Sequence, residues 1–240
     1  MNEQEPPDPS AHGAGPEGTA RSGRQPSRPE NQPSSPENLL ARHLDLETSR
    51  ELVRQYAWLE RSLFEIAGGW VASIEAPAAR VQLGTSSRHH VLHAELWENL
   101  TVGLGGSAND AARPECADDL APLLQQLRAA DNCDTLERMV GYYRVLLPRL
   151  IGAYTIHAQR TGRTADLPAS RVLRIVLLEE IDEWTRGEIM LQTYLADKDA
   201  ITRAARRQEA LEIIADSCRF TPAIDLIWGS RSRDRATAPK

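Results

Sequence analysis

Leu52, Tyr56, Leu59, Leu63, Ile66 and Trp70 recur at alternating intervals of four and three residues. That alternation places one apolar stripe on one face of an α-helix; a strand repeats every two residues and cannot use it. The stretch DLETSREL supplies capping residues ahead of the stripe, and GGW followed by EAPAA supplies a stop. A first helix is therefore predicted over about 48–69.

The same reading continues down the chain. A second helix covers about 78–100 and ends before the glycine-rich loop VGLGGSANDAARPE. CADDLAPLLQQLRAA reads as a short helix with Asp118 or Asp119 near its start. A long helix over about 134–160 carries the stripe Leu136, Val140, Tyr143, Leu147, Leu150 and Tyr154. Pro148 lies inside it and should kink it, because proline removes a backbone donor and crowds the preceding turn. After the loop RTGRTADLPAS, a helix over about 169–195 bears Leu173, Leu177, Trp184 and Leu191. A last amphipathic helix covers about 199–217, and FTPAIDLIW packs back as a short apolar tail. No segment alternates like a strand between hairpin turns. The predicted fold is all-α: an antiparallel four-helix bundle with additional short helices.

The ends of the chain cannot join that core. From Asn2 to Asn38 there is no Val, Ile, Leu, Phe, Trp, Tyr or Cys, and eight of the 15 prolines fall there. Residues 1–38 therefore read as a disordered Pro/Gly/Ser-rich leader, since such a stretch buries too little to offset the entropy of ordering. It has neither the apolar run of a secretory signal nor the charge bias of a transit peptide. Residues 230–240 read as a flexible tail, leaving 39–229 as the helical-bundle domain, a size that one core can serve.

Composition narrows the function classes. The net charge is -6 and no basic patch is interleaved with aromatics, so nucleic acid is not an expected partner. No apolar run reaches the length of a membrane span. Cys116, Cys133 and Cys218 are dispersed and form no CxxC pair, as expected of a reduced, cytoplasmic chain.

The informative residues are the polar ones that interrupt apolar stripes, because an isolated buried charge must be paired, protonated or bound to metal. Glu60 adjoins the Leu59/Leu63 stripe. RHHVLHAELWENL, residues 88–100, holds three of the six histidines. His90 and His93 share a face with Leu83, Trp97 and Leu100, and His89 neighbours His93 from the other side. Two histidines on one helical turn can reach one metal ion, and they can equally stack at a helix boundary. In LLEEIDEW, Glu180 lies between Leu177 and Trp184, with Glu179 and Glu183 on an adjacent face. An arginine partner at the helix boundary would account for Glu60 without any metal, and a solvated acidic face beside Arg186 would account for Asp182 better than for Glu180. His157 continues the stripe of the long helix.

Position along the hairpins separates these candidates. Glu60 lies about ten residues before the first interhelical loop and His89/His90 about ten after it, so they are level. At about 1.5 Å per residue, Glu180 is roughly 18 Å from its loop and His157 roughly 6 Å from the same loop. Glu60, His90, His93 and Glu180 can form one layer; His157 belongs nearer one end.

A carboxylate on one helix, histidines on the next and acids on a later helix resemble the ferritin-like superfamily. The resemblance covers about residues 48–195. It implies a four-helix bundle around two irons or manganeses, held by one Glu from each of two helices and an ExxH pair from each of the others. Under it Glu60 matches the single-helix glutamate, His93 the histidine of the second helix, and Glu180 with Glu183 the acids of the fourth. The pattern departs from the family at HHVLH, at the ExxE of Glu180 and Glu183, and at Arg149, which stands where the third helix would carry a carboxylate. A single-metal site, an altered dinuclear site and a metal-free bundle all remain open.

Two functions follow as expectations. One is a metal-dependent oxidoreductase acting on a small molecule, with iron or manganese held by Glu60, His90, His93, Glu180 and Glu183, and with Tyr143 and Tyr154 either lining the pocket or belonging to the core. The other is a metal-free binding or scaffold protein whose inward acids pair with Arg149, Arg174 or His93. A homo-oligomer is compatible with both.

Overall fold

The computed structural model describes residues 46–106, 114, 117–129, 133–160 and 167–218. The expected leader, the tail and the apolar stretch after residue 219 lie outside the described residues, as does Cys116. Within them the chain is helical and contains no strand. Helix α1 is Leu46–Val71, α2 Pro77–Gly103 and α3 Ala117–Arg128. Next come α4, Thr135–Val140, a π-helical stretch, Gly141–Leu146, and α5, Leu147–Arg160. Helices α6, Leu167–Tyr194, and α7, Lys198–Ser217, follow.

The α1 stripe is buried as its spacing predicts. Helix α2 opens on Pro77, whose missing N–H costs nothing in a first turn. It closes at the glycines that looked like a loop. Gly105 takes φ +82°, its N–H bonds to Val102 O, and the Gly106 N–H bonds to Thr101 O. This paired closure needs the left-handed backbone that glycine tolerates.

Helices α1 and α2 pack along their lengths. Ser87 Oγ bonds Phe64 O, Arg61 pairs with Glu98, and Arg50 Nε bonds Leu104 O at 2.7 Å. Partners on α2 advance as those on α1 retreat, so the two run antiparallel. The segment from Thr135 to Arg160 is also antiparallel to α1: Trp70 meets Tyr142, Glu60 meets Tyr154, and Tyr56 meets His157. Helix α6 runs against α2, with Glu183 beside His89 and Glu179 beside His93. Helix α7 covers α3, α4 and the π stretch. An Asp134/Glu137 capping box starts α4.

Two expectations about local structure need correction. Pro148 was expected to kink a regular helix. Instead the ladder changes register ahead of it, and the Leu147 N–H bonds to Tyr142 O, five residues back. A proline at 148 cannot donate to residue 144, and one extra residue in the turn before it absorbs that lost bond. The register change leaves Tyr142 and Tyr143 both wholly buried. It also brings Gly141 so close to Leu127 and Leu211 that a Cβ there would lie 2.8 Å from each.

The second correction concerns α6. Its buried face is Leu173, Val176, Glu180, Glu183, Gly187 and Leu191, while Trp184 is 37% exposed and Leu177 half-buried. The helix is turned so that acids rather than its largest apolar side chains enter the interior. No helix of the described residues is long and apolar enough to cross a membrane. Cys133 and Cys218 are free thiols.

Candidate metal centre

Glu60 enters from α1, His90 and His93 from α2, and Glu180 from α6, and none is more than 1% exposed. One ligand atom from each lies within 4.8 Å of the others, a group able to hold a metal ion. His90 Nδ1 is 2.5 Å from Glu60 Oε2 and 3.4 Å from Glu180 Oε1. His93 Nδ1 is 3.0 Å from Glu180 Oε1 and 3.6 Å from Glu60 Oε1. Both imidazoles therefore turn the same nitrogen toward both carboxylates.

The other nitrogens are tied outward. His93 Nε2 lies 2.7 Å from an oxygen of Glu179, which is half-exposed. His90 Nε2 meets the Tyr142 hydroxyl, which donates to Glu183 Oε1 at 3.0 Å. A ring whose Nε2–H is bonded to a carboxylate or hydroxyl presents an Nδ1 lone pair on its inner side. Two such lone pairs facing two carboxylates repel unless something positive lies between them: a proton on each Nδ1, or a cation. The Tyr154 hydroxyl donates to Glu60 Oε1, whereas Glu180 Oε2 has no hydrogen-bond partner although wholly buried. A buried carboxylate oxygen left bare in this way is costly unless a cation or proton is near it.

Ionisation follows this geometry. Burial alone would raise the Glu60 carboxyl, but the charge and hydrogen bonds of His90 and His93 hold it down at about 2. Burial opposes a charged His90, yet Glu180 and Glu60 raise it to about 9. Burial opposes a charged His93 as well, and hydrogen bonds to Glu180 and Glu60 raise it to about 11. Glu180 is pushed up to about 7 by burial, with the charges of Glu60 and Glu183 adding to the push and the histidines opposing it. Near neutral pH the ion-free site thus holds its acids against two imidazolium protons.

Four of the five residues expected as ligands converge on one point, and Glu183 stands beside them. Its carboxylate bonds Tyr142 and lies 3.3 Å from His89 Nδ1. The nearer ring nitrogen of His90, the outward Nε2, is 3.9 Å from Glu183 Oε1. Burial would raise Glu183, but the His89 hydrogen bond and the His90 charge bring it below the usual carboxylate range. His89 is partly exposed beside the cluster, its ring roughly parallel to that of His93 with centroids 6.3 Å apart. His157 lies apart, against Tyr56, with both ring nitrogens unpartnered.

The expected arginine partners do not enter. Arg149 reaches outward to Glu212 and Asp216, and Arg174 is exposed. Of the partners weighed for the inward acids, His93 is the one that meets them. Tyr143 bonds Ser86 at 3.2 Å rather than a ligand. Tyr142 escaped the sequence reading, and Glu179 entered it only as an acid on a face adjacent to Glu180, without its contact to His93. A regular helix puts Tyr143 on the stripe and Tyr142 off it; the signal was the adjacent pair of tyrosines one turn before a proline.

Tyr154 links the cluster to an aromatic group. It stacks on Trp97 with centroids 5.6 Å apart and meets Tyr56 edge-on at 4.7 Å. These rings close one side of the site. The chain matches no family model, and neither a curated protein nor a solved structure is similar to it.

Proposed function

We propose that Glu60, His90, His93 and Glu180 hold one first-row divalent ion, iron or manganese, inside a ferritin-like antiparallel four-helix bundle. On this reading the protein is a metal-dependent oxidoreductase acting on a small molecule. The observation that carries it is the inward turn of both Nδ1 atoms toward two carboxylates, with Nε2 engaged outside and Glu180 Oε2 bare.

The donor set fits such an ion. Two carboxylates and two neutral imidazoles balance a divalent charge, and mixed oxygen and imidazole donors suit iron and manganese. Tyr142 and Glu179 hold the two rings in the tautomer that presents Nδ1. Tyr154 fixes the Glu60 carboxylate. Four protein ligands leave room for an exogenous one, and the ion when bound would supply one-electron chemistry toward dioxygen or a peroxide. The aromatic wall and the near-total burial of the ligands restrict the reacting molecule to a small one. The pairwise antiparallel helices, with α3 in the long connection between α2 and α4, support the bundle.

A second reading rests on one observation: the ion-free cluster neutralises itself. With His90 and His93 raised above neutrality and Glu60 held low, acids and imidazolium ions balance without metal. That would make the cluster a buried polar lock in a binding or scaffold protein. Elemental analysis of protein expressed with added iron and manganese separates the two. Near-stoichiometric metal in the parent, lost in both Glu60→Ala and His93→Ala, supports the metal centre. Metal-free protein under all conditions supports the polar lock.

A further inference from the structure

We propose that the cleft between α1 and α3 is a binding site for a free α-amino acid, separate from the cluster around Glu60. The cleft encloses about 280 Å³. That is just below the roughly 300–1,000 Å³ of sites for drug-sized ligands, so its occupant is small. Trp58, Arg61, Ser62 and Glu65 line it from α1, and Ala117, Ala121 and Arg128 from α3. At about 3.6 residues per turn, the four α1 residues share the side of the helix turned away from Glu60. The small side chains on the facing helix give the cleft its depth.

Ser62 distinguishes this cleft from a plain gap between helices. It is 3% exposed, it lines the cleft, and its hydroxyl makes no hydrogen bond among the described residues. A hydroxyl placed so deeply calls for a polar partner, and the cleft is where one fits. Arg61 gives Nε and Nη2 to Glu98 at 2.8 Å each. That fork fixes the guanidinium and leaves Nη1 uncommitted. One turn along, Glu65 Oε2 accepts from Arg128 Nη2 at 3.1 Å, and Oε1 stays free.

These charges select the ligand class. A simple anion would gain Arg61 but meet Glu65. A simple cation would gain Glu65 but meet Arg61 and Arg128. A zwitterion satisfies both: its carboxylate takes Arg61 Nη1 and the Ser62 hydroxyl, and its ammonium takes Glu65 Oε1. Residues three and four apart on a helix stand about 5–6 Å apart, so Arg61, Ser62 and Glu65 reach the two ends of one α-amino acid. The Arg128–Glu65 pair is largely exposed, and such a pair is weak enough to rearrange around a ligand. The half-buried Trp58, with Ala121, gives the ligand's side chain an apolar wall, which favours an aliphatic or aromatic amino acid.

Titration calorimetry of the full chain with L-leucine and L-phenylalanine is the test. At least one of them should bind saturably. N-acetylation of that amino acid removes the ammonium and amidation removes the carboxylate charge; each should weaken binding about tenfold or more. Glu65→Gln should weaken it about tenfold and Ser62→Ala about threefold to tenfold, both with helix content unchanged. Absence of saturable binding for both amino acids would overturn the proposal. An N-acetyl derivative that binds as tightly as the free amino acid would overturn it too, by marking a plain anion site. So would a Glu65→Gln variant that binds as tightly as the parent protein, by marking an amino acid held elsewhere, at a metal near Glu60 included. The arms at Glu65 and Ser62 do not depend on metal content, so their failure leaves the metal centre standing.

Discussion

His93 and Glu180 are 87 positions apart in sequence, yet His93 Nδ1 lies 3.0 Å from Glu180 Oε1, and both are sealed from solvent. The contact joins α2 to α6 at the level where Glu60 arrives from α1. It also leaves the second oxygen of Glu180 with no partner. On the proposed reading, stability and metal affinity are coupled at this contact, and substitution takes the coupling apart.

Glu60→Gln and Glu180→Gln should differ in the ion-free protein. Glu180 sits near half-protonation at pH 7, being raised to about 7, so a neutral amide replaces it with little change, within about 1 kcal/mol. Glu60 is held ionised against His90, and removing that charge breaks a buried pair at about 3–5 kcal/mol. Urea unfolding of both variants measures the contrast. Both should lose metal.

Metal affinity should rise with pH. His90 and His93, raised to about 9 and about 11, each carry a proton at pH 7 that the ion must displace. Between pH 7 and 9 the logarithm of the binding constant should increase by about two per pH unit, falling to about one above pH 9. Calorimetric titration in two buffers of different ionisation enthalpy counts the released protons directly.

His157 sets a separate acid limit. Burial depresses its folded value to about 4, against about 6.5 when unfolded. The unfolded chain then binds the proton more readily, so stability is complete above about pH 6.5. It declines as pH falls toward 4, by on the order of 3 kcal/mol. Glu180, His90 and His93, all raised in the folded protein, gain stability over the same range, so the parent's net change does not isolate His157. Chemical unfolding at about pH 7 and about pH 4.5 of the parent and of His157→Phe, which has no proton to bind, reads the loss as a fall of the parent relative to the variant on acidification.

Tyr142→Phe should weaken metal binding without removing a ligand. The hydroxyl both receives His90 Nε2 and donates to Glu183, so its loss frees the ring orientation and leaves a buried carboxylate short of a donor. A fall of about 10- to 100-fold in affinity is expected, with about 1–3 kcal/mol lost from the ion-free fold. Competition against a metal-sensitive dye measures the first and thermal unfolding the second.

Gly187→Ala should destabilise the protein by about 1–3 kcal/mol, because a Cβ would overlap the buried Tyr143 ring one turn after Glu183. Thermal unfolding tests it, and helix propensity alone would favour alanine.

Much of this organisation is legible in the sequence because helices write themselves as period. The α1 stripe needed no tertiary information, and the hairpin count that made Glu60 and His90 level depends only on rise per residue. The acids of α6 were visible as interruptions, but the orientation of that helix was not. Trp184 looked like core because its size dominates a hydrophobicity pattern, whereas the interior selected Glu183 and Gly187 to meet Tyr142 and Tyr143. The π stretch was hidden for a related reason. Pro148 signals a defect in the ladder, but whether it resolves as a kink or as a register change depends on α7 and α3 packing around Gly141. Hence Tyr142 went unread. The pairing of Glu179 with His93 went unread because a half-exposed acid resembles any solvated one until its histidine is placed.

X-ray absorption at the metal edge of the iron-loaded parent and its His93→Ala variant reads the proposed ligands one by one. The parent's coordination sphere should contain two imidazole rings together with carboxylate oxygens. The variant should retain one ring at most, or no metal. A spectrum of oxygen ligands alone, or one unchanged by His93→Ala, would contradict a centre built from Glu60, His90, His93 and Glu180.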